Sequence, residues 1–411
     1  MAADPVVIVG ASHAGFQLAA SLRQHGFAER IVLIGDEPVL PYQRPPLSKD
    51  YLDGKIGLDL LLMRPEAFYR EHRIEILTGV RVDAIEPAER RVRLATGEPL
   101  SYGHLVLATG ARNRMPPLPG IELDGVCYLR TLAETDELRQ RLAAAERVVV
   151  IGAGFIGLEF AAVARAHGKD VHIVELTDRV MGRVVTVPTS EFFAEAHRRT
   201  GVEFTFGARA EGIAGHEGRV DGVELEGGAR LPADLVLVSI GVRPNEELAA
   251  AAGLAVANGI VVDEHLVTAD PAISAIGDCA AFPCRHCGGA DTRLEAVQNA
   301  ADHARCVADR LVGNAHPYTA LPWFWSEQGE LRLQIAGLCT GYDRTVLRGD
   351  PEGGQFSVFC YQDGHLLGIE SINQPADHAH GRRLLSAGRQ VTPEQAADPG
   401  FDLRAAAAAR G

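Results

Sequence analysis

Runs of four or more apolar residues punctuate this chain, and most of them end at a glycine. Val6–Val7–Ile8–Val9 runs into Gly10, Ile31–Val32–Leu33–Ile34 into Gly35, and Val148–Val149–Val150–Ile151 into Gly152. Leu105–Val106–Leu107–Ala108 reaches Gly110, Leu235–Val236–Leu237–Val238 reaches Gly241, and Ile273 to Ile276 reaches Gly277. Such runs predict strands buried on both faces, the kind that parallel sheets contain. Between them lie helical spacings. Ala14 to Gln24 carries Phe16, Leu18, Ala19 and Leu22 on one face, a second helix runs on through Glu159, Phe160 and Val163, and Leu294 begins a third that extends to about Leu311. Ile74 to Val82 reads as strand, turn, strand. Pro45 and Pro46 fix an extended backbone, with Ser48 placed to cap a following helix. From Leu321 the pattern changes: Leu331–Ile335, Phe356–Phe359 and Leu366–Ile369 are short stretches separated by turns, which predicts a small antiparallel sheet. Gly381 to Leu385 reads as helix, and Ala405 to Ala409 as a frayed helix end.

Two of the glycine turns are alike. Gly10–Ala11–Ser12–His13–Ala14–Gly15 follows the first strand, with Ser12 where a middle glycine is usual; Gly152–Ala153–Gly154–Phe155–Ile156–Gly157 follows Ile151 with all three glycines. A strand, a tight turn and a helix N-terminus converge unpaired N–H groups on one point, with the positive end of the helix dipole behind them. That site suits a dinucleotide pyrophosphate. The three glycines serve in turn the tight bend, the close approach of phosphate, and the close packing of helix on strand. An acid closes the strand after each turn. Asp36, with Glu37 the alternative, and Glu175 are placed to accept the ribose hydroxyls of an adenosine. A carboxylate at Glu175 opposes the 2′-phosphate of NADP as a like charge, which Arg179 and Arg183 offset in part, so NADH is preferred. These signals give an α/β fold with two Rossmann-like dinucleotide-binding domains and a C-terminal α+β domain. Pro116–Gly120 and Gly241–Asn245 mark the junctions, so the first domain is discontinuous (1–112 and 243–320), the second is inserted in it (113–242), and the third covers 321–411.

Composition narrows the function. The chain has 411 residues, too many for a single core. Forty basic and 54 acidic residues give a formal charge of −14, which argues against nucleic acid as the main partner. No apolar stretch approaches the roughly 20 residues of a membrane span. Asp4 precedes the first apolar run, and the strand begins too early for a cleavable leader, so a cytoplasmic enzyme is expected. Seven cysteines, an odd number, imply reduced thiols. Cys284–Arg285–His286–Cys287 has redox or zinc spacing, but no second pair completes a metal site, and it reads as an ordinary loop with no metal.

The Gly10–Gly15 turn, Tyr42–Gln43–Arg44–Pro45–Pro46–Leu47–Ser48–Lys49, Gly277–Asp278–Cys279 and Trp323–Phe324–Trp325–Ser326 together resemble the FAD-dependent ferredoxin reductases of putidaredoxin reductase type. The resemblance covers essentially the whole chain. It implies the glutathione reductase-like, three-layer ββα fold, although the redox cysteine pair that glutathione reductases carry near residues 40–49 is missing here. It implies FAD in the first domain, NADH in the second, and a third domain that covers the flavin and helps receive a 2Fe-2S ferredoxin serving a haem monooxygenase or aromatic-ring dioxygenase. The FAD residues it implies are Gly10, Ser12, His13, Ala14, Gly15, Asp36, Arg44, Pro45, Lys49, Val82, Ala108, Thr109, Gly110, Arg130, Gly277, Asp278, Val297 and Trp325, with His13 in a structural role. The NAD residues are Gly152, Gly154, Phe155, Ile156, Gly157, Glu159, Glu175, Arg183 and Gly241. Lys49, paired with Glu159, is expected beside the flavin as the catalytic pair. Arg64, Arg310, Arg344, Arg382 and Arg383 are candidates for a basic docking surface on a monomer. Other readings are a reductase of rubredoxin, quinone or monodehydroascorbate, and a redox-sensing module that binds FAD and NADH without turnover.

Overall fold

In a computed structural model, residues 5–408 are described; Asp4 and Ala409 lie outside them. The chain forms two compact units. One takes the chain up to Gln43, Leu58–Arg112 and Arg243–Pro322; the other takes Arg44–Gly57, Asn113–Val242 and the chain from Trp323 onward.

The first unit is built on a five-stranded parallel sheet. Its order is Ile273–Ala275, His104–Leu107, Val6–Val9, Ile31–Ile34, Ile74–Leu77. The runs of the sequence are these strands, and Val7, Ile8, Val32, Leu33, Leu105 and Val106 are wholly buried. Helix His13–Gln24 packs against helix Val297–Leu311, and a three-stranded antiparallel sheet (Val82–Glu86, Arg91–Leu94, Pro99–Ser101) adds a further layer. The third helix starts three residues later than its apolar content indicates. Leu294–Ala296 stay outside it, and Ala296 takes extended backbone as its N-cap.

The second unit repeats the plan. Strands Val202–Phe206, Asp170–Glu175, Arg147–Ile151, Leu235–Val238 and Val126–Cys127 form a parallel sheet in the same order, again with a three-stranded antiparallel sheet (Ala210–His216, Arg219–Leu225, Arg230–Pro232). In both sheets the strand before the glycine turn is central, and successive connections leave it on opposite sides. The crevice this opens at the carboxyl ends of the strands is where an open α/β sheet binds its ligand.

The same unit carries a five-stranded antiparallel sheet ordered Trp323–Gln328, Leu331–Gly337, His365–Ile372, Gln355–Gln362, Arg344–Asp350. Helix Pro375–Ser386 packs on it; the apolar spacing at Gly381–Leu385 is the second half of that helix. Among the described residues no helix is long and apolar enough to cross a membrane.

Candidate functional site

In the first unit the chain returns three times to the end of Val6–Val9. Gly10 has φ +117°, and a Cβ there would lie 2.1 Å from Ala108 O; at Gly15 it would lie 1.9 Å from Gly10 O. Both positions therefore require glycine, the first for its dihedral as well as its space. The Gly277–Asp278 turn closes on the same helix start: a Cβ on Gly277 would come 3.1 Å from Ala14 Cβ. Thr109 Oγ1 donates to Asn245 O (2.7 Å) and Asn245 Nδ2 donates to Thr109 O (2.8 Å), which pins the Ala108–Gly110 bend. Gly10, Ser12, His13, Ala14, Gly15, Ala108, Thr109, Gly110, Gly277 and Asp278 are thus carried by three adjoining turns. Asp36 is exposed at the end of its strand, whereas Glu37 accepts the Tyr42 hydroxyl at 2.6 Å. Val82 is buried where its strand begins. Val297 opens its helix without a side-chain cap, and the neighbouring Gln298 Oε1 is buried with no hydrogen-bond partner.

A histidine that sequence reasoning missed holds one of these turns. His303 Nδ1 accepts the Gly277 N–H at 3.2 Å. Its ring lies edge-on to Phe282 and Tyr318, at 4.6 and 4.4 Å between centroids. Burial lowers its pKa to about 3, so it stays neutral and keeps Nδ1 as an acceptor. A lone histidine on an apolar helix face carries no sequence signal of such a role.

In the second unit, Gly152 (φ +105°) and Gly157 repeat the close contacts: their Cβ atoms would lie 2.4 Å from Ser239 O and from Gly152 O respectively. Gly154 differs. A Cβ there would meet no protein atom within 4 Å, so its smallness serves no internal packing and leaves room above the turn. Gly154 is also the N-cap of helix Phe155–Ala166 and brings no side chain to its first amides. Glu175 Oε2 accepts the Ala153 N–H (2.7 Å), and Oε1 accepts Thr177 N–H and hydroxyl (both 2.8 Å). The carboxylate is thereby fixed beside the glycine turn. Arg179 does not face it, because its guanidinium donates to Val185 O and Gly182 O (both 2.7 Å). Arg183 is exposed, and Ile156 and Gly241 line a cleft with Leu129, Val238 and Ser239.

The densest polar contact in this unit surrounds Glu159, which is 5% exposed. Its Oε2 accepts from Lys49 Nζ at 2.7 Å and from the Ser48 hydroxyl; its Oε1 accepts the Ser326 hydroxyl at 2.6 Å. Ser326 Oγ in turn accepts from Gln328 Nε2 (3.2 Å), and Gln328 Oε1 lies 2.8 Å from His197 Nε2. Ser48 ends a short 3₁₀ turn, Pro45–Ser48, and caps no helix; its hydroxyl serves Glu159 instead. Ser326 and Gln328 were not singled out, although Ser326 stands in the Trp–Phe–Trp–Ser motif. Arg44 Nη1 donates to Arg130 O at 2.6 Å, so Arg44, Pro45, Lys49, Arg130 and Trp325 all belong to this unit. Phe155 packs on Phe324 at 4.5 Å and Trp325 on Trp323 at 5.5 Å, with the Arg382 guanidinium 4.3 Å over Trp323.

Other expectations change. Arg310 is not a surface cation: it donates to the Ser274 hydroxyl at 2.6 Å, and its burial lowers its pKa. Cys284 and Cys287 are joined by a disulfide, because the turn through the two residues between them brings their Cα atoms to 5.1 Å. The odd cysteine count hid that pair. Among the described residues one donor group is compact enough for a metal ion: Cys339, Cys360 and Glu370, with donor atoms within 4.8 Å. It closes on itself, for Glu370 accepts Thr186 N–H and hydroxyl (2.8 and 2.6 Å) and the Cys360 thiol donates to Cys339 Sγ (2.7 Å).

A family model described as pyridine nucleotide-disulphide oxidoreductase matches residues 4–304, and one described as reductase C-terminal matches residues 323–407. The chain belongs to the pyridine nucleotide-disulphide oxidoreductase family. This oxidoreductase uses FAD and NAD(H). It is 50% identical over 403 residues to rhodocoxin reductase of Rhodococcus erythropolis, a match covering 98% of this chain and 94% of that one. It is similar to the crystal structure of the ferredoxin reductase for the CYP199A2 system from Rhodopseudomonas palustris (TM-score 0.97, 55% identity, 98% of this chain and 100% of that chain). It is also similar to the covalent putidaredoxin reductase–putidaredoxin complex (TM-score 0.95, 40% identity, covering 99% and 98%).

The residues fit both coenzymes of this oxidoreductase. The room above Gly154 and the fixed Glu175 carboxylate suit a pyrophosphate and a ribose. The orphaned Gln298 Oε1 and the uncapped helix at Val297 await a polar ligand, and the flavin ring carries N–H and carbonyl groups that would satisfy them.

Proposed function

We propose that the chain is an NADH-dependent reductase of a 2Fe-2S ferredoxin, in a system that ends in a haem monooxygenase or an aromatic-ring dioxygenase. The observation that carries this reading is the doubled glycine turn, each copy following the central strand of a parallel sheet, on a chain matching rhodocoxin reductase over 98% of its length. FAD is assigned to 1–112 and 243–320, NADH to 113–242, and the side facing the ferredoxin to 321–411. The enzyme works in the cytoplasm, where NADH is made.

Bound FAD supplies the means of turning a two-electron donor into a one-electron source. The protein's part is binding, orientation and charge. The Gly10–Gly15 and Gly152–Gly157 turns offer backbone N–H groups to the pyrophosphates, and Asp36 and Glu175 accept ribose hydroxyls. His303 holds the Gly277–Asp278 turn at its working position. Lys49 brings an amino group held by Glu159, and the three donors on Glu159 fix the geometry of that carboxylate. Lys49 then opposes negative charge that develops next to it, which is electrostatic stabilisation from a preorganised group. Phe155, Phe324 and Trp325 pack on one another, the first on the helix that carries Glu159 and the other two on the strand that carries Ser326. Arg64, Arg344, Arg382 and Arg383 are the candidates for docking an acidic ferredoxin, with Arg310 withdrawn from that set.

The test is direct. The purified yellow protein is given NADH or NADPH, with cytochrome c as final acceptor and a 2Fe-2S ferredoxin or a rubredoxin as carrier. We expect reduction that depends on the ferredoxin and a kcat/KM for NADH at least about tenfold above that for NADPH, a difference of about 1.4 kcal/mol. Rubredoxin serving better than any ferredoxin would replace the proposed acceptor, and no carrier-dependent reduction with either would replace the reading itself.

A further inference from the structure

The Cys284–Cys287 disulfide has no part in the chemistry above. It sits at the tip of a hairpin in which Phe282 pairs with Thr292 and Pro283 with Asp291. The turn is tightly made: Cys287 N–H and Gly289 N–H both donate to Cys284 O (3.0 and 2.9 Å), and Cys284 N–H donates to Ala290 O (3.1 Å). The two sulfur-bearing residues are unequal. Cys284 is 2% exposed, whereas Cys287 is only half-buried and is followed by the exposed Gly288, Gly289 and Ala290. The exposed Arg285 places a positive charge in the same loop. The other five cysteines are buried, and burial holds their thiols up, Cys127 to about 12 and Cys306 to about 11. Thiol chemistry in this chain is therefore confined to one pair.

We propose that Cys284–Cys287 is a thiol–disulfide exchange site for small cytoplasmic thiols of the glutathione class, entered at Cys287. An external thiolate bonds to Cys287 Sγ; the Cys284–Cys287 bond breaks, and its electron pair leaves on Cys284 Sγ, which takes up a proton. A second external thiol then bonds to the first, releases Cys287 as a thiol and departs as the external disulfide. Two thiols are oxidised, and one cystine is reduced by two electrons and two protons. The hairpin continues into Arg293, whose Nη1 donates to Asp278 O (3.2 Å), so the exchange loosens or tightens a segment joined to that turn.

The holoprotein is equilibrated in a series of reduced-to-oxidised glutathione ratios, quenched in acid, alkylated and read by peptide mass. We expect Cys284 and Cys287 to pass together from disulfide to dithiol in a single transition, with the other five cysteines alkylated only after denaturation. A pair that is dithiol even in oxidised glutathione, or that stays disulfide in a large excess of reduced glutathione, overturns the proposal. The point of entry has its own readout. In oxidised glutathione, Cys284→Ser should acquire one glutathione at Cys287 at least tenfold faster than Cys287→Ser acquires one at Cys284; equal rates overturn the assignment of Cys287 as the attacked sulfur.

Discussion

Gly152 and Gly154 are two residues apart in one loop, yet they are glycine for different reasons. At Gly152 an alanine would drive its Cβ to 2.4 Å from Ser239 O at φ +105°, so Gly152→Ala strains the fold itself. At Gly154 the same change meets no protein atom. Gly154→Ala is therefore expected to melt within a few degrees of the parent while raising KM for NADH about tenfold or more, because the methyl takes the room meant for phosphate. Gly152→Ala should lower the melting temperature by many degrees, as burying a Cβ against backbone costs on the order of several kcal/mol. Thermal melts beside NADH saturation curves check the pair. A G154A protein with unchanged KM would mean that the open space is not the pyrophosphate's.

At the scale of elements, the Glu159 cluster joins three segments: the 3₁₀ turn Pro45–Ser48, helix Phe155–Ala166 and strand Trp323–Gln328. Glu159→Gln removes the charge and turns one acceptor into a donor facing either the Ser48 or the Ser326 hydroxyl. The rate of flavin reduction by NADH should fall about tenfold or more, an increase of at least about 1.4 kcal/mol in the barrier, with NADH affinity little altered. Ser326→Ala removes one donor and should cost less, about two- to fivefold. Stopped-flow bleaching of the yellow colour measures both, and equal rates in all three proteins would refute a role for the cluster. Elements were also where the sequence was most and least legible. The strands and glycine turns could be read because their signals are local: an apolar run, then a residue free to take positive φ. Ser48 and Ser326 could not, since they reach Glu159 across 111 and 167 residues of chain. Leu294–Ala296 look helical by apolar content alone but stay extended up to the N-cap. The Cys284–Cys287 bond escaped because parity of a count says nothing about a pair held by its own turn.

For the molecule as a whole, acid is the informative stress. His303 is buried and His104 half-buried, and both are neutral, desolvation taking each from 6.5 to about 3; at His104 the charge of Arg310 adds to it. In the unfolded chain both recover the ordinary value, so between about 6.5 and 3 the unfolded state binds protons that the folded state refuses. Stability is therefore expected to fall as pH drops through that window, by up to about 1.4 kcal/mol per pH unit for each histidine. Urea midpoints taken from pH 7.5 to 4.5 check this, and a His303→Gln variant should show a slope shallower by about one proton. A flat profile across that range would contradict the assignment. At the other charge sign, Asp234 is held down at about 2, first by its hydrogen bond from Arg147, so its contribution is whole above about pH 4 and is lost as pH falls from there through about 2.

Glu370 is a wholly buried carboxyl on strand His365–Ile372, and it accepts both donors of Thr186, the residue just before helix Val187–Arg199. Burial raises its pKa, and the threonine contacts offset only part of that rise. The bond has a consequence for anyone who would cut or graft this chain. A fragment ending before Trp323 would leave the Thr186 amide and hydroxyl without their acceptor, at the point where the Arg179–Val185 loop enters its helix. The terminal sheet is thus a keystone of the segment that follows Glu175, and exchanging it for a relative's sheet to retarget the electron carrier would succeed only if the graft brings an acid to the same spot.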